Sequence, residues 1–454
     1  MNRSEQPPSL FGPAHRTLTL GVIGAVSLVG FEAMAVATIL PTAARELDGL
    51  SAYGWAFAAF MLANLVGTMG AGELADARGP RLPLLLAAAA MALGLGIGTF
   101  APSWEILLVG RAFQGLGGGA LLTLGYLAIR RGYPETVRPR MLAVVSSSWI
   151  LPSLLGPVAA GALAERASWR LAFALLVPLL LASLALLFPA LGRLPPVAGR
   201  PALGRTGRTA LLALCLGLFL ASLQLRTLWT LPGALLAGTL ALLFARSILP
   251  AGTLRLARGL PAGLVFRSLL SFVFFGAEAF VPLGLSTLRG FSPTAGGLVL
   301  TGASLVWVVG SWTQARIDER RGPDTRPARM LAGIALVGMG IAFMAFCVLT
   351  PSVPAILAAV GWAVAGFGMG IGYPSTSVLV LDAAPEGEEG FVSAALNLME
   401  NVGIALGAGL GGAAYGIARA AAFAPPIALG LAYAVVLAAL PLGVIAAARV
   451  RTRA

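Results

Sequence analysis

Apolar residues fill this chain in long runs, and polar residues gather in the short breaks between them. Fourteen runs can be traced, at approximately 17–40, 52–71, 82–101, 104–128, 141–163, 169–189, 209–225, 228–246, 261–288, 294–315, 329–350, 354–380, 390–417 and 425–448. At 1.5 Å of rise per residue, about 20 residues cross a hydrocarbon core of ~30 Å. The pattern therefore predicts an all-α membrane protein with fourteen transmembrane helices. The first run starts near Thr17, contains Glu32 and reaches Pro41 without a small-residue cleavage site, so it reads as a retained span rather than a signal peptide. Residues 192–208 carry four Arg and three Pro and divide the first six runs from the rest. The predicted organisation is a six-helix bundle over 1–191, a cytoplasmic linker over 192–208, two added spans over 209–250 and a second six-helix bundle over 251–454.

Composition narrows the chemistry. The 454 residues are 58% hydrophobic and only 11% charged, with a mean hydropathy of +0.89, which suits a surface facing lipid. All 31 basic residues are Arg. Without Lys there is no P-loop and no Schiff-base chemistry. The single His, His15, sits in the N-terminal tail, which disfavours a Ser-His-Asp triad or a His-ligated zinc. Cys215 and Cys347 each stand alone in an apolar run. No catalytic residue, metal site or bound cofactor is expected, and the chain does not read as an enzyme.

The net charge of +13 reports topology rather than a nucleic-acid partner. With the spans placed, most arginines fall in alternate loops and tails, among them Arg78, Arg81, Arg130, Arg131, Arg320, Arg321 and Arg451. The opposite loops hold only Arg45, Arg166, Arg170, Arg226, Arg289 and Arg419. That is the positive-inside bias, and it puts both termini in the cytoplasm of a multi-pass cell-membrane protein. The basic loops then meet anionic lipid heads.

The breaks and a few interrupted runs carry motifs. Between runs two and three stands Gly72-Glu-Leu-Ala-Asp76-Ala-Arg78-Gly79-Pro-Arg81. Gly79 allows a reversal, and Asp76 suits an Arg partner or a helix terminus. Run four contains Gly110-Arg111-Ala-Phe-Gln114-Gly115-Leu-Gly117, and run five Gly156-Pro157-Val-Ala-Ala160-Gly161. Trp169-Arg170-Leu-Ala-Phe173 opens run six, and Glu32 stands nine residues before Pro41. Two segments recur roughly 245 residues later: Gly30-Phe31-Glu32-Ala33 as Gly276-Ala277-Glu278-Ala279, and the Gly72–Gly79 loop as Ala315–Gly322, with Glu319 and Arg321 matching Asp76 and Arg78. Repeated halves with a site at their interface are the sequence pattern of many secondary transporters.

In order and placement these motifs resemble the major facilitator superfamily, and within it the fourteen-span drug:proton antiporters. The loop resembles motif A, the Arg111 segment motif B, and Gly156, Pro157 and Gly161 the antiporter motif C. In motif C, Pro152 and Ala160 replace two family glycines. The resemblance implies the major facilitator fold, two six-helix bundles plus two inserted helices. It also implies that Arg111, with Gln114 beside it, tunes a titrating carboxyl, and that Glu32 stands where the family usually has Asp.

An ionisable side chain at membrane depth costs about 2.5–3.5 kcal/mol on insertion scales. Glu32, Arg111, Glu278 and Glu400 are retained inside runs despite that cost. They are either structural pairs that fix helix packing or, with Gln114, the proton-coupling set. A desolvated carboxyl can be neutral in one state and charged in another, which is what coupling to protons requires. Phe31, Trp55, Phe113, Phe280, Asn397 and Asn401 are candidates for lining a substrate cavity, against the alternative that each faces lipid or a neighbouring helix. Gly72, Asp76, Arg78, Gly79, Arg81, Glu319 and Arg321 are the expected gating residues.

The leading expectation is a monomeric proton-coupled exporter of small hydrophobic molecules or drugs, working by alternating access in the bilayer, with the proton as coupling ion. The alternatives are a lipid, sugar or metabolite transporter of the same fold, and a non-transporting membrane sensor or scaffold.

Overall fold

The computed structural model describes residues 10–13, 15–192, 204–225, 227–386 and 388–450, without the side chain of Pro139. Most of the predicted linker, Arg226 and Arg451 lie outside the described residues. Eighteen α-helices follow in order: α1 Arg16–Glu46, α2 Trp55–Arg78, α3 Arg81–Phe100, α4 Trp104–Gly132, α5 Arg138–Ser147, α6 Ile150–Arg166, α7 Arg170–Ala174, α8 Leu176–Leu191, α9 Arg205–Ser222, α10 Thr230–Ile248, α11 Leu260–Glu278, α12 Val281–Arg289, α13 Pro293–Arg321, α14 Arg326–Leu349, α15 Leu357–Asp382, α16 Glu389–Ala420, α17 Pro425–Leu437 and α18 Leu440–Arg449.

Among the described residues 13 helices are long and apolar enough to cross a membrane. Several are interrupted: α5 and α6 form one span, as do α7 and α8, α11 and α12, and α17 and α18. Pro282 and Pro441 stand at the starts of α12 and α18, where a missing N–H costs no intrahelical bond. The remaining predicted span is α9, 18 residues long. Arg205 and Arg208 in its first turn lower its mean hydropathy. One boundary differs from expectation: α1 does not stop at Pro41 but carries it inside and runs on to Glu46.

The two halves of the chain repeat the same close helix contacts. A Cβ placed on Gly94 of α3 would lie 2.6 Å from the Gln114 nitrogen and 2.7 Å from the Gly110 oxygen of α4; one on Gly340 of α14 would lie 2.4 Å from the Ala365 nitrogen and 2.5 Å from the Gly361 oxygen of α15. Gly115 and Gly119 meet the oxygens of Phe60 and Asn64 on α2, while Gly366 and Gly370 meet those of Ala303 and Trp307 on α13. Without a hydrophobic drive between helices in lipid, such small-residue contacts carry the packing. The shared register also shows where the halves differ. Arg111, one residue after Gly110, corresponds to Trp362, one residue after Gly361. Likewise α2 ends on Gly79 and α13 on Gly322, with φ of 79° and 72°, a left-handed conformation that residues with a Cβ seldom adopt.

At the end of the bundle away from Gly79 and Gly322 the halves are locked together. Arg45 donates to Ser286 at 2.5 Å, the Thr294 amide to Glu165 at 2.7 Å and Thr301 to the Ser153 carbonyl at 2.9 Å. A Cβ on Gly416 would come within 2.1 Å of the Ser51 oxygen. The seam keeps a cavity of about 40 Å³ between Thr38, Arg45, Pro282 and Ser286, room for a few waters and far below the ~300 Å³ a drug-sized ligand needs. Tyr126 of α4, within electrostatic reach of Glu400 of α16, is 53% exposed.

Candidate functional site

The first charge cluster joins α1 and α4. Glu32 and Gln114 are fully buried, and Arg111 is 3% exposed. Arg111 Nη1 donates to Glu32 Oε1 and, at 2.6 Å, to Gln114 Oε1. Its Nε donates to the Ala56 carbonyl of α2 at 3.1 Å, and its guanidinium lies 4.4 Å from the centre of the Phe60 ring. Gln114 Nε2 in turn donates to the Gly94 carbonyl at 2.9 Å. The spacing explains the arrangement: residues 111 and 114 are three apart on one helix and so lie on one face. Glu32 is less well served, because its Oε2 has no hydrogen-bond partner. A buried pair with one oxygen unmet is held by Coulomb attraction against a large desolvation cost.

Glu278, the repeat of Glu32, is half-buried at the last turn of α11. Among the described residues no hydrogen bond or ion pair reaches it, and the place of its arginine is taken by Trp362, stacked on Phe274 at 4.7 Å. The equal-looking acids thus have unlike surroundings. Glu400 lies in a second cluster with residues that the charge pattern did not single out. Tyr373 Oη donates to its carboxylate, 3.0 and 2.9 Å from the two oxygens. Arg267 Nη1 stands 3.8 Å from Oε2. Arg267 lies inside a predicted span just as Arg111 does, and that position was the available signal.

Of the residues expected to gate, Asp76 bonds within its own half. Asp76 accepts from Arg131 of α4 at 2.9 Å, while Arg78 and Arg81 are exposed. Gly72 faces only Thr123, 3.9 Å from where its Cβ would be. In the second half Glu319 and Arg321 are exposed. The acid that pairs there is Asp318, one residue earlier, which accepts from Arg326 at 2.9 Å and from Arg329. Arg326 also donates to Asp382 at 2.5 Å. One step along a helix turns a side chain by about 100°, so Asp318 faces α14 and Glu319 does not.

The motif C residues line the locked seam. Pro157 packs against Gly297 of α13, Gly161 against the Thr294 backbone, and Gly156 against Met34 of α1. Trp169 donates to Glu46 Oε2 at 2.7 Å, and Arg170 reaches Glu46 and the Ala101 carbonyl at 3.0 Å. These two residues tie α7 to α1 and α3 at the same end.

Of the cavity candidates, Phe31, Trp55 and Phe113 are half-buried. Phe280 is fully buried, its ring centre 5.8 Å from that of Tyr53 and 6.3 Å from that of Tyr415. It is therefore part of the seam. Asn401 donates to Asn64 of α2 at 3.1 Å, a bond between the halves. Asn397 is exposed and donates to the Ser393 carbonyl.

The model of the Major Facilitator Superfamily matches residues 22–408. The chain belongs to that superfamily. It is a multi-pass membrane transporter fold and not an enzyme family. Among curated relatives, the "Probable multidrug-efflux transporter Rv1634" of Mycobacterium tuberculosis (strain ATCC 25618 / H37Rv) is 28% identical over 446 residues, covering 93% of this chain and 92% of the relative. The "MFS efflux transporter aclA" of Aspergillus oryzae (strain ATCC 42149 / RIB 40) is 33% identical over 151 residues, 33% of this chain and 27% of its own length. Among solved structures, a peptide transporter POT in complex with sulfate aligns with a TM-score of 0.70 at 15% identity, over 99% of this chain and 95% of its own. A bacterial homolog of the human lysosomal transporter Spinster, in an inward-facing and unoccupied conformation, aligns at 0.64 with 17% identity, 96% of each chain being covered. Both structural likenesses concern the fold.

Proposed function

We propose that this protein is a proton-coupled antiporter that exports small hydrophobic molecules across the cell membrane, with both termini in the cytoplasm. The observation that carries this reading is the buried Glu32–Arg111–Gln114 cluster with one carboxylate oxygen unmet. Adding a proton to Glu32 removes the charge that Arg111 holds and frees Arg111 to rely on Gln114, Ala56 and Phe60. The balance between paired and parted α1 and α4 then changes with proton occupancy. α1 also reaches the locked seam through Arg45, so a shift of α1 is transmitted to the gate. Residues 1–191 and 251–454 would rock against each other, with Asp76, Arg78 and Asp318 stabilising the loop ends. The covering relative named as a multidrug-efflux transporter supports the cargo class.

The driving force is sufficient. Moving one charge through 100 mV supplies about 2.3 kcal/mol, equivalent to roughly a fifty-fold gradient of a neutral solute. The test uses protein reconstituted in liposomes with a panel of hydrophobic dyes, ethidium among them, and a pH-sensitive indicator. Dye addition should drive proton movement in the native protein and not in Glu32→Gln. Dye-driven proton movement of native size in Glu32→Gln overturns the assignment, and no movement with any dye overturns the cargo class.

A further inference from the structure

We infer that Arg267 is a positioning residue that holds Glu400 as a second, partly exposed proton site in the other half of the molecule. The inference rests on the proton-coupled reading above, and adds a residue and a site at a different depth. Arg267 is 1% exposed, yet its Nε and Nη1 have no hydrogen-bond partner. Its Nη2 donates to Ser377 of α15, and its guanidinium sits 3.5 Å from the centre of the Tyr373 ring. At 3.8 Å from Glu400 Oε2 it is close enough for strong attraction and too far for a hydrogen bond. The contrast with Arg111, which reaches three acceptors, is one of kind: the first pair is made, the second is held just short of being made.

The carboxylate side is equally unfinished. Both oxygens of Glu400 lie within reach of one hydroxyl, that of Tyr373, and a hydroxyl has one proton to give. The side chain keeps 17% exposure, whereas Glu32 keeps none. The groups facing Glu400 are few. α11 brings Arg267, α15 brings Tyr373, and α4 brings Tyr126 from the opposite half. On α2, Asn64 bonds to neighbouring Asn401. Arg205 of α9 lies against Phe391, nine residues and about 13 Å up the helix. Tyr433 of α17 is engaged with the Phe280 carbonyl. Arg267 is thus the one cation within reach among the described residues.

Two arrangements follow. With Glu400 charged, Arg267 closes the short gap and its unmet donors are used. When a proton from water at its exposed edge binds a Glu400 oxygen, Arg267 keeps its own proton and rests on the Tyr373 ring and Ser377. The device is absent from the first half. Arg267 stands eleven residues before Glu278, and the residue eleven before Glu32 is Gly21.

The test reads the proton directly. Protein in lipid nanodiscs is titrated by infrared spectroscopy, following the protonated carboxyl band in the native protein, Glu400→Gln, Arg267→Gln and Arg267→Lys. Glu400→Gln should remove one titrating band. Arg267→Gln should move the midpoint of that band to higher pH by about ten- to a thousandfold in proton affinity, and Arg267→Lys should leave most of it. A midpoint unmoved in a folded Arg267→Gln, or no band lost in Glu400→Gln, overturns the inference. Should Arg267→Gln not fold, Ser377→Ala releases Arg267 toward Glu400 and should move the midpoint to lower pH; no movement there has the same force. Because no dye transport is read, failure of the cargo assignment and failure of this inference are separable.

Discussion

Removing one member of the Glu32–Arg111 pair should have unequal consequences depending on which member goes. Arg111 keeps its charge under all conditions a protein meets. In Glu32→Gln it stays buried with Gln114, the Ala56 carbonyl and the Phe60 ring for company, and no counter-charge. Breaking a buried pair in that way costs about 3–5 kcal/mol. In Arg111→Gln the remaining Glu32 can take a proton and become neutral. The loss is then nearer that of an unmet buried polar group, about 1–3 kcal/mol. The double variant removes both charges and should be more stable than Glu32→Gln alone, which makes the coupling measurable by a double-mutant cycle. Thermal unfolding with a thiol-reactive dye suits the chain, since Cys215 and Cys347 are both buried. The expected order of melting temperature is native, Arg111→Gln, then Glu32→Gln. Glu32→Gln melting at or above Arg111→Gln would refute the argument that an uncompensated guanidinium is the costly species.

Other substitutions follow from the same geometry. Gly115→Ala puts a Cβ 2.1 Å from the Phe60 oxygen and must push α2 off α4; its melting temperature should fall by more than that of any other glycine-to-alanine exchange in α4, whereas Gly302→Ala, with open space around it, should be neutral. Asp318→Asn removes the negative charge shared by Arg326 and Arg329 and turns one of its two acceptor oxygens into a donor, and should destabilise by about 2 kcal/mol or more, while Glu319→Gln should stay within about 0.5 kcal/mol; the reverse ranking in a melting assay would favour Glu319 as the paired acid.

Much of the architecture could be read from hydropathy alone, because lipid demands about 20 apolar residues per crossing and the breaks are polar. The first charge cluster was readable too: Glu32 and Arg111 stand out in apolar runs, and Gln114 shares the face of Arg111. Three things were not. Glu278 resembles Glu32 in its flanking residues, but a partner on another helix decides its surroundings, and Trp362 stands where that partner would be. Asp318 and Glu319 are adjacent acids, and only the rotation of α13 against α14 separates them. Arg267 lies seven residues into α11, as Arg111 does into α4, but only its packing shows that it meets Tyr373 and Glu400. In each case the missing information is which face of a helix meets which neighbour, a property of packing and not of periodicity.

The central claim, that proton occupancy of Glu32 selects which end of the molecule is open, is most directly tested by a distance across the locked end. Spin labels at Asp48 and Ala421, both exposed there, in a chain with Cys215 and Cys347 replaced by Ala, would report the gap by pulsed electron resonance in nanodiscs. The native distance distribution should change between acid and alkaline pH, and Glu32→Gln should keep the acid distribution at every pH. A Glu32→Gln protein whose gate still follows pH as the native one does would contradict the account.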